Sequence, residues 1–261
     1  MNRTHIIPKL DSIPSIFHEL FNNADIYDSS CSPEAKVFFI DKGSGYYLKS
    51  APKNSLKYEA EMTRYFCSKG LATSVLEYLS AEKDWLLTAK VSGEDCTHKM
   101  YLGEPEKLCD TTATLLRTLH ETDFADCPIK NKLERYVNTV INNYHCGNYD
   151  KTAFPDSFGY QSPEEAWQVA RDNMKFFKND TLLHGDYCLP NIILDNWKFS
   201  KFIDLDNAGV GDKHIDIFWG IWTLFFNLKT NKYASRFIDA YGRKDIETDM
   251  LRIVAACEVF G

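Results

Sequence analysis

Between Leu182 and Asp216 the chain concentrates residues that could handle a phosphorylated ligand. His184, Asp186 and Asn191 come first, and Asp204 and Asp206 follow a short apolar stretch. Ile192–Leu194 and Phe199–Ile203 read as two short strands around a turn at Asp195–Lys198. A tight hairpin folds its ends together, so Asn191 at the entry and Asp204 at the exit come close in space. Asp186 lies on the loop just before them. Oxygen-bearing side chains converging in this way suit Mg²⁺ bound to phosphate, which takes one or two protein oxygens and fills its shell with phosphate and water. Asp186, five residues ahead of Asn191, is free to face an incoming hydroxyl instead of the metal.

The spacing His-x-Asp, four residues, Asn, then an Asp after a β-hairpin resembles the catalytic loop of kinases. That chemistry also needs a lysine for the α- and β-phosphates and a carboxylate to hold it. The first ninety residues or so read as strands around one helix. Val37–Ile40 and Tyr46–Lys49 flank a glycine-containing turn and form a hairpin. Asn54 or Ser55 can cap a helix with Leu56, Ala60, Thr63 and Phe66 on one face, and Gly70 can stop it. Val75–Leu79 and Trp85–Ala89 make a further strand pair. Lys49 therefore ends a strand, and Glu59 lies one turn into the next helix. Glu61 competes as the partner, but Glu59 shares a face more closely with Leu56 and Phe66.

Gly93 marks a boundary, and the pattern beyond it turns helical. Helices are expected over Glu106–His120, from near Leu133, over Glu164–Phe177 after an N-cap at Ser162, and through the rest of the chain from Asp216. Asn142–Gln161, polar and rich in Gly, Asn and Asp, reads as a loop or short-helix insertion near a site. The 261 residues suit one large domain or two lobes. A net charge of −7 argues against nucleic acid as the main partner and is compatible with a cationic small molecule. No segment reaches the length of a membrane span, and the amino terminus has no apolar signal region, so a cytoplasmic protein with eight reduced cysteines is expected. None of the cysteines has zinc-site spacing.

The resemblance then becomes specific. His184-Gly-Asp-Tyr-Cys-Leu-Pro-Asn191, Phe202-Ile-Asp-Leu205 and Gly209-Val-Gly-Asp-Lys213 with Asp216 closely resemble the aminoglycoside 3′-phosphotransferases. Ser32-Pro-Glu-Ala-Lys-Val37, Tyr47-Leu-Lys49, Leu119–Pro128 and Glu258-Val-Phe260 extend the match over most of the chain. The resemblance implies an α+β, two-lobed, protein-kinase-like fold. Its small β-rich lobe, residues 1–92, would bind nucleotide, and its larger, mainly helical lobe, residues 93–261, would carry catalysis and substrate. It further implies ATP, with GTP as the alternative, and Mg²⁺ as cofactors, and transfer of the γ-phosphoryl to an aminoglycoside hydroxyl, the 3′-OH. By position Asp186 is the catalytic aspartate, and Asn191 and Asp204 are the metal ligands. Lys49, Glu59, Ser32 and Tyr47 serve the nucleotide, with Ala89 and Val91 as hinge contacts. Glu258 and Phe260 match positions that meet the substrate, and Asp150 and Asp156 are the obvious acids left in the insertion.

Several positions depart from the family. Asp206-Asn207 stands where Gly-Arg is usual, Cys257 replaces a carboxylate, and Gly261 follows the terminal Phe. The helix after Asp216 carries Trp219, Trp222, Phe225 and Phe226 where the family tends to polar and acidic residues. These aromatics read as core, the alternative being a wall of the substrate pocket. Asp212 and Asp216 read as structural, tying the metal loop to that helix. Cys188 reads as a small packing residue. Two other functions compete: a kinase of a different hydroxylated small molecule, and a nucleotide-binding module without transfer. The chain is expected to act as a monomer or dimer, without nucleic acid or membrane.

Overall fold

A computed structural model describes residues 3–31, 33–149 and 159–261. Ser32, Asp150 and Asp156 lie outside the described residues. The chain divides into two units: Met1–His98 with Pro190–Asp206, and Lys99–Leu189 with Asn207–Gly261. The 192–202 hairpin, expected within residues 93–261, thus groups with the amino-terminal strands.

The first unit is built on an antiparallel sheet of six strands: β1 (Thr4–His5), β2 (Asp25–Asp28), β3 (Lys36–Asp41), β4 (Tyr46–Pro52), β5 (Val75–Ser80) and β6 (Lys83–Ala89). Their order is β1-β2-β3-β4-β6-β5. Alternation along β4 sends Leu48 into an apolar cluster with Ile40, Trp85 and Leu87. It leaves Lys49 on the other face, where helix Lys57–Ser68 packs through Leu56 and Ala60 against Leu86. The expected caps of that helix are not used. The Leu56 amide donates to Asp84 Oδ2 at 3.0 Å, so a β6 carboxylate holds the helix start, while the Ser55 hydroxyl turns back to the Pro52 carbonyl.

The hairpin Ile192–Asp195/Lys198–Phe202 joins this unit in two ways. Ile192–Asp195 pairs antiparallel with Glu94–Asp95, and the Phe202 amide donates to the Leu71 carbonyl at 2.8 Å. Gly93 permits this join, because a Cβ there would stand 2.2 Å from the Leu194 carbonyl oxygen.

The second unit holds helices Pro105–His120, Lys132–Cys146, Pro163–Asn173, Lys213–Leu228, Ala234–Tyr241 and Thr248–Glu258, with a two-stranded ladder, Thr181–Leu183 against Gly209–Gly211. The Ser162 hydroxyl accepts from the Glu165 amide at 3.1 Å, as its place before Pro163 suggests. That helix stops at Asn173 and passes into a single 3₁₀ turn, short of Phe177. The helix through Asn142 continues to Cys146, where Gly147 in the left-handed region ends it. With its antiparallel amino-terminal sheet and mainly helical remainder the chain is α+β. All eight cysteines are thiols. Among the described residues no helix is long and apolar enough to cross a membrane.

Candidate active site

Lys49 is the hub of the first unit. Its ammonium lies 2.8 Å from Glu59 Oε2 and 2.8 Å from Asp204 Oδ1. The hairpin spacing accounts for one arm of this clasp, and the rotation of helix 57–68 on the sheet accounts for the other. Glu59 is buried, whereas Glu61 is half-exposed, which decides between the two candidates. An exposed lysine–glutamate pair would be worth about 0–1 kcal/mol, but Glu59 at 6% exposure belongs to a different class. Burial alone would lower the Lys49 ammonium; Glu59 and then Asp204 overcome it and hold the group above its ordinary value. Burial pushes the Glu59 carboxyl up to about 7, with Lys49 opposing and Asp204 adding to the shift.

Asn191 and Asp204 adjoin each other as the hairpin requires. The Ile203 amide donates to the Asn191 carbonyl at 3.1 Å, one residue before Asp204. Asn191 is buried, and the Asp204 side chain is half-exposed. Asp204 has φ +60°, a conformation unusual outside glycine, so the chain holds this carboxylate at some backbone cost. One carboxylate and one amide oxygen at adjoining strand ends, with half the carboxylate open, form a donor set that Mg²⁺ carrying phosphate would accept.

The other nucleotide candidates are placed unevenly. Tyr47 shares the Lys49 face of β4; its ring lies 5.2 Å from that of Phe39, and Arg3 donates to its hydroxyl at 2.6 Å. Burial raises the Tyr47 phenol. Ala89 donates its amide to Ser74 and accepts from the Thr73 hydroxyl, so both its backbone groups already have partners within the protein. Val91, half-buried, follows β6.

In the second unit the loop His184–Leu189 carries Asp186. Asp216 accepts from the His184 and Gly185 amides, both at 2.7 Å, and from Nε2 of His120 at 3.3 Å. It therefore ties the Asp186 loop, not the metal loop, to helix 213–228. Asp212 instead caps that helix by accepting from the His214 amide. Gly185 has φ +82°, and a Cβ there would stand 1.8 Å from the Asn207 carbonyl oxygen, so only glycine fits. Asn207, which replaces the expected arginine, accepts at 3.4 Å from the buried Lys132 ammonium. The Leu189 amide donates to Thr223, again on helix 213–228. Burial and the nearby Asp186 raise the Cys188 thiol well above its usual range, which agrees with a packing role.

Glu258 is buried, and its Oε1 accepts from the Tyr136 hydroxyl at 2.7 Å. Burial pushes its carboxyl up to about 7, opposed by the hydrogen bond from Tyr136, by Lys132 and by the Trp219 side chain, while Asp186 adds to the shift. The charge of Asp186 thus reaches Glu258. Phe260 does not share this setting. It is 1% exposed, caged by the rings of Tyr144, Tyr149 and Trp167, with its carbonyl held by Asn143 at 2.8 Å. It anchors the chain terminus in the core, because a fully buried ring has no face left for a ligand. Lys132, Tyr136 and Trp219 are absent from the sequence-based site. A signal existed only for Trp219, as an aromatic at a position usually polar.

Residues 32–253 match the family model of the phosphotransferase enzymes, the class whose chemistry a lysine clasp, an Asn/Asp hairpin and a His-Gly-Asp loop would serve. A probable aminoglycoside 3′-phosphotransferase from Lactococcus lactis is 51% identical over 253 residues, covering 97% of this chain and 96% of its own. The chain belongs to the aminoglycoside 3′-phosphotransferase family. A second relative, an aminoglycoside 3′-phosphotransferase from Niallia circulans, is 28% identical over 225 residues, 84% of this chain and 85% of its own. In fold the chain is similar to an aminoglycoside phosphotransferase from Streptomyces rimosus solved with ADP and streptomycin, with TM-score 0.78, 20% identity, and coverage of 97% and 99%.

Proposed function

We propose that this chain transfers the γ-phosphoryl of ATP, with Mg²⁺, to the 3′-hydroxyl of an aminoglycoside in the cytoplasm and so confers resistance. The observation that carries the reading is the clasp of Lys49 between Glu59 and Asp204, with Asn191 adjoining. In this reading the lobe of residues 1–92 binds nucleotide and residues 93–261 supply catalysis and acceptor contacts. Lys49 neutralises the α/β side of the nucleotide, and Glu59 keeps it in place. Tyr47, Ala89 and Val91 line the base, and Ser32 covers the phosphates. Asn191 and Asp204 would hold Mg²⁺, which when bound offsets charge across the β- and γ-phosphates. Asp186 orients the acceptor hydroxyl and takes its proton as the new P–O bond forms and the bond to ADP breaks. Positioning and charge neutralisation outweigh proton abstraction, because the transition state is loose.

The test is phosphoryl transfer from γ-labelled ATP across a panel of aminoglycosides. Label is expected on acceptors with a 3′-hydroxyl and not on their 3′-deoxy counterparts. A second reading, a kinase of another hydroxylated small molecule, is favoured by the aromatic helix 213–228, and gains if no aminoglycoside accepts label. Nucleotide binding with no transfer to any acceptor would point to a binding module.

The Glu258 carboxyl, held near 7 by burial, gives the acceptor step a pH dependence. Its charged form prevails above about 7 and is lost as pH falls through that value, while acceptor amines stay protonated. Acceptor KM is therefore expected to rise on acidification, and Glu258→Gln to flatten the profile. A wild-type KM profile flat from pH 6 to 8.5 would remove Glu258 from acceptor binding.

A further inference from the structure

β1 is a two-residue strand at the outer edge of the first unit's sheet. Its register nonetheless completes an aromatic row across four strands: His5 opposite Tyr27, Tyr27 opposite Phe39, and Phe39 opposite Tyr47. Successive ring centroids stand 5.5, 5.9 and 5.2 Å apart. Directly opposed residues project from one face, so the row lies on the face that carries Lys49. Arg3, two residues before His5, reaches the same face. Its guanidinium carbon is 3.8 Å from the Phe39 ring centroid and 5.8 Å from that of Tyr47, both within cation–π range. Donation from Nη2 to the Tyr47 hydroxyl at 2.6 Å fixes its far end. Asp28 stands opposite Thr4, one residue from Arg3, yet it pairs with Lys36 and the Ser30 hydroxyl. An arginine kept only to hold the edge strand would have had that carboxylate at hand. Among the described residues no carboxylate lies within ion-pair distance of Arg3, and Tyr47 takes one of its five N–H donors.

We propose that Arg3 is a nucleotide-binding residue, its guanidinium sharing the Phe39–Tyr47 platform with the base and donating to acceptors of the nucleoside, on the base edge and the ribose. This role rests on the reading that Tyr47 lines the base, and it adds a contact from the amino-terminal strand. A guanidinium over one ring leaves its remaining N–H groups beside whatever lies over the adjoining ring. Purine nitrogens and ribose oxygens are acceptors that such a planar fork suits. The Tyr47 hydroxyl, having accepted from Arg3, keeps its own proton to donate alongside. Lys49, two positions further along β4 and so about 7 Å away, is left to the phosphates. Arg3 therefore recognises the nucleoside and not the charge of the triphosphate.

The experiment measures binding of adenosine, ADP and ATP, by competition against a fluorescent ATP analogue, to wild type, Arg3→Ala, Arg3→Met and Arg3→Lys. Arg3→Ala and Arg3→Met are each expected to weaken all three ligands about tenfold, the methionine keeping the contact with Phe39 but no donors. Arg3→Lys keeps the charge without the fork and should still lose about fivefold. Unchanged adenosine and ATP binding in the alanine and methionine variants would overturn the Arg3 contact and leave the nucleotide reading intact. A loss confined to ADP and ATP, and restored by lysine, would mark attraction at a distance and also overturn it. So would a loss that comes with a lower melting temperature of the ligand-free protein, the sign of a staple for β1. A wild type that binds neither adenosine nor ATP would instead overturn the nucleotide reading, and the Arg3 contact with it.

Discussion

Replacing Asp186 with asparagine is expected to lower kcat by about 10²–10⁴, the range for losing a positioned general base. Asparagine keeps the size of the side chain and cannot take a proton, so the variant separates chemistry from shape. The surrounding loop should persist. Its amides at His184 and Gly185 are bound by Asp216, and its Leu189 amide is bound by Thr223, and neither tie involves the Asp186 carboxylate. Nucleotide affinity should therefore stay within about twofold, since the role proposed for Asp186 is to orient the acceptor and not the phosphates. Stopped-time transfer assays with saturating ATP, alongside equilibrium binding of a fluorescent ATP analogue, read the two quantities. A kcat within a few-fold of wild type would remove Asp186 from the catalytic role.

Replacing Asp204 with asparagine should have an effect at least as large, about 10³-fold or more on turnover. Two functions meet at this carboxylate. It is one of the two groups proposed to hold Mg²⁺, and its Oδ1 lies 2.8 Å from the Lys49 ammonium. Losing the negative charge weakens the metal site, and it leaves Lys49 with Glu59 as its remaining carboxylate partner in the clasp. The Mg²⁺ concentration needed for half-maximal turnover should rise sharply. Nucleotide affinity measured with and without Mg²⁺ should converge, because the metal would no longer strengthen binding. An unaltered Mg²⁺ dependence would place the metal elsewhere. The pairing with Asp186→Asn is informative, because one variant should spare nucleotide binding and the other should not.

Much of the site was legible because it is local. Two short apolar runs and a polar turn define the 192–202 hairpin, and a hairpin brings its own ends together, so Asn191 and Asp204 adjoin without help from the rest of the chain. The same reasoning placed Lys49 on its strand, although β4 runs on to Pro52 instead of ending at the lysine because β6 pairs with it that far, and Ser162 at a helix start. Resemblance to a known family then supplied roles that spacing cannot.

The residues that spacing misplaced share a different origin. Helical periodicity identifies an apolar stripe but not how deeply each edge is buried, so Phe225 and Phe226 read as core yet lie exposed, while Trp219 packs against the helical core as expected. Phe260 went the other way, from a substrate contact to a caged anchor, because the rings around it come from two helices and a loop far away in sequence. Asp84 at the start of helix 57–68, and Tyr136 on Glu258, are likewise partners supplied from a distance.

By itself the sequence determined which oxygens, which lysine and which loop are candidates for the proposed chemistry, all set by covalent neighbours and by the short-range geometry of turns and strands. The tertiary structure alone decided the environment. It buried Glu59 and left Glu61 at the edge, brought Asp204 to Lys49 across 155 positions, and enclosed Glu258 until its carboxyl rose to about 7. Desolvation and long-range packing depend on what every other element covers, and no window of residues contains that information.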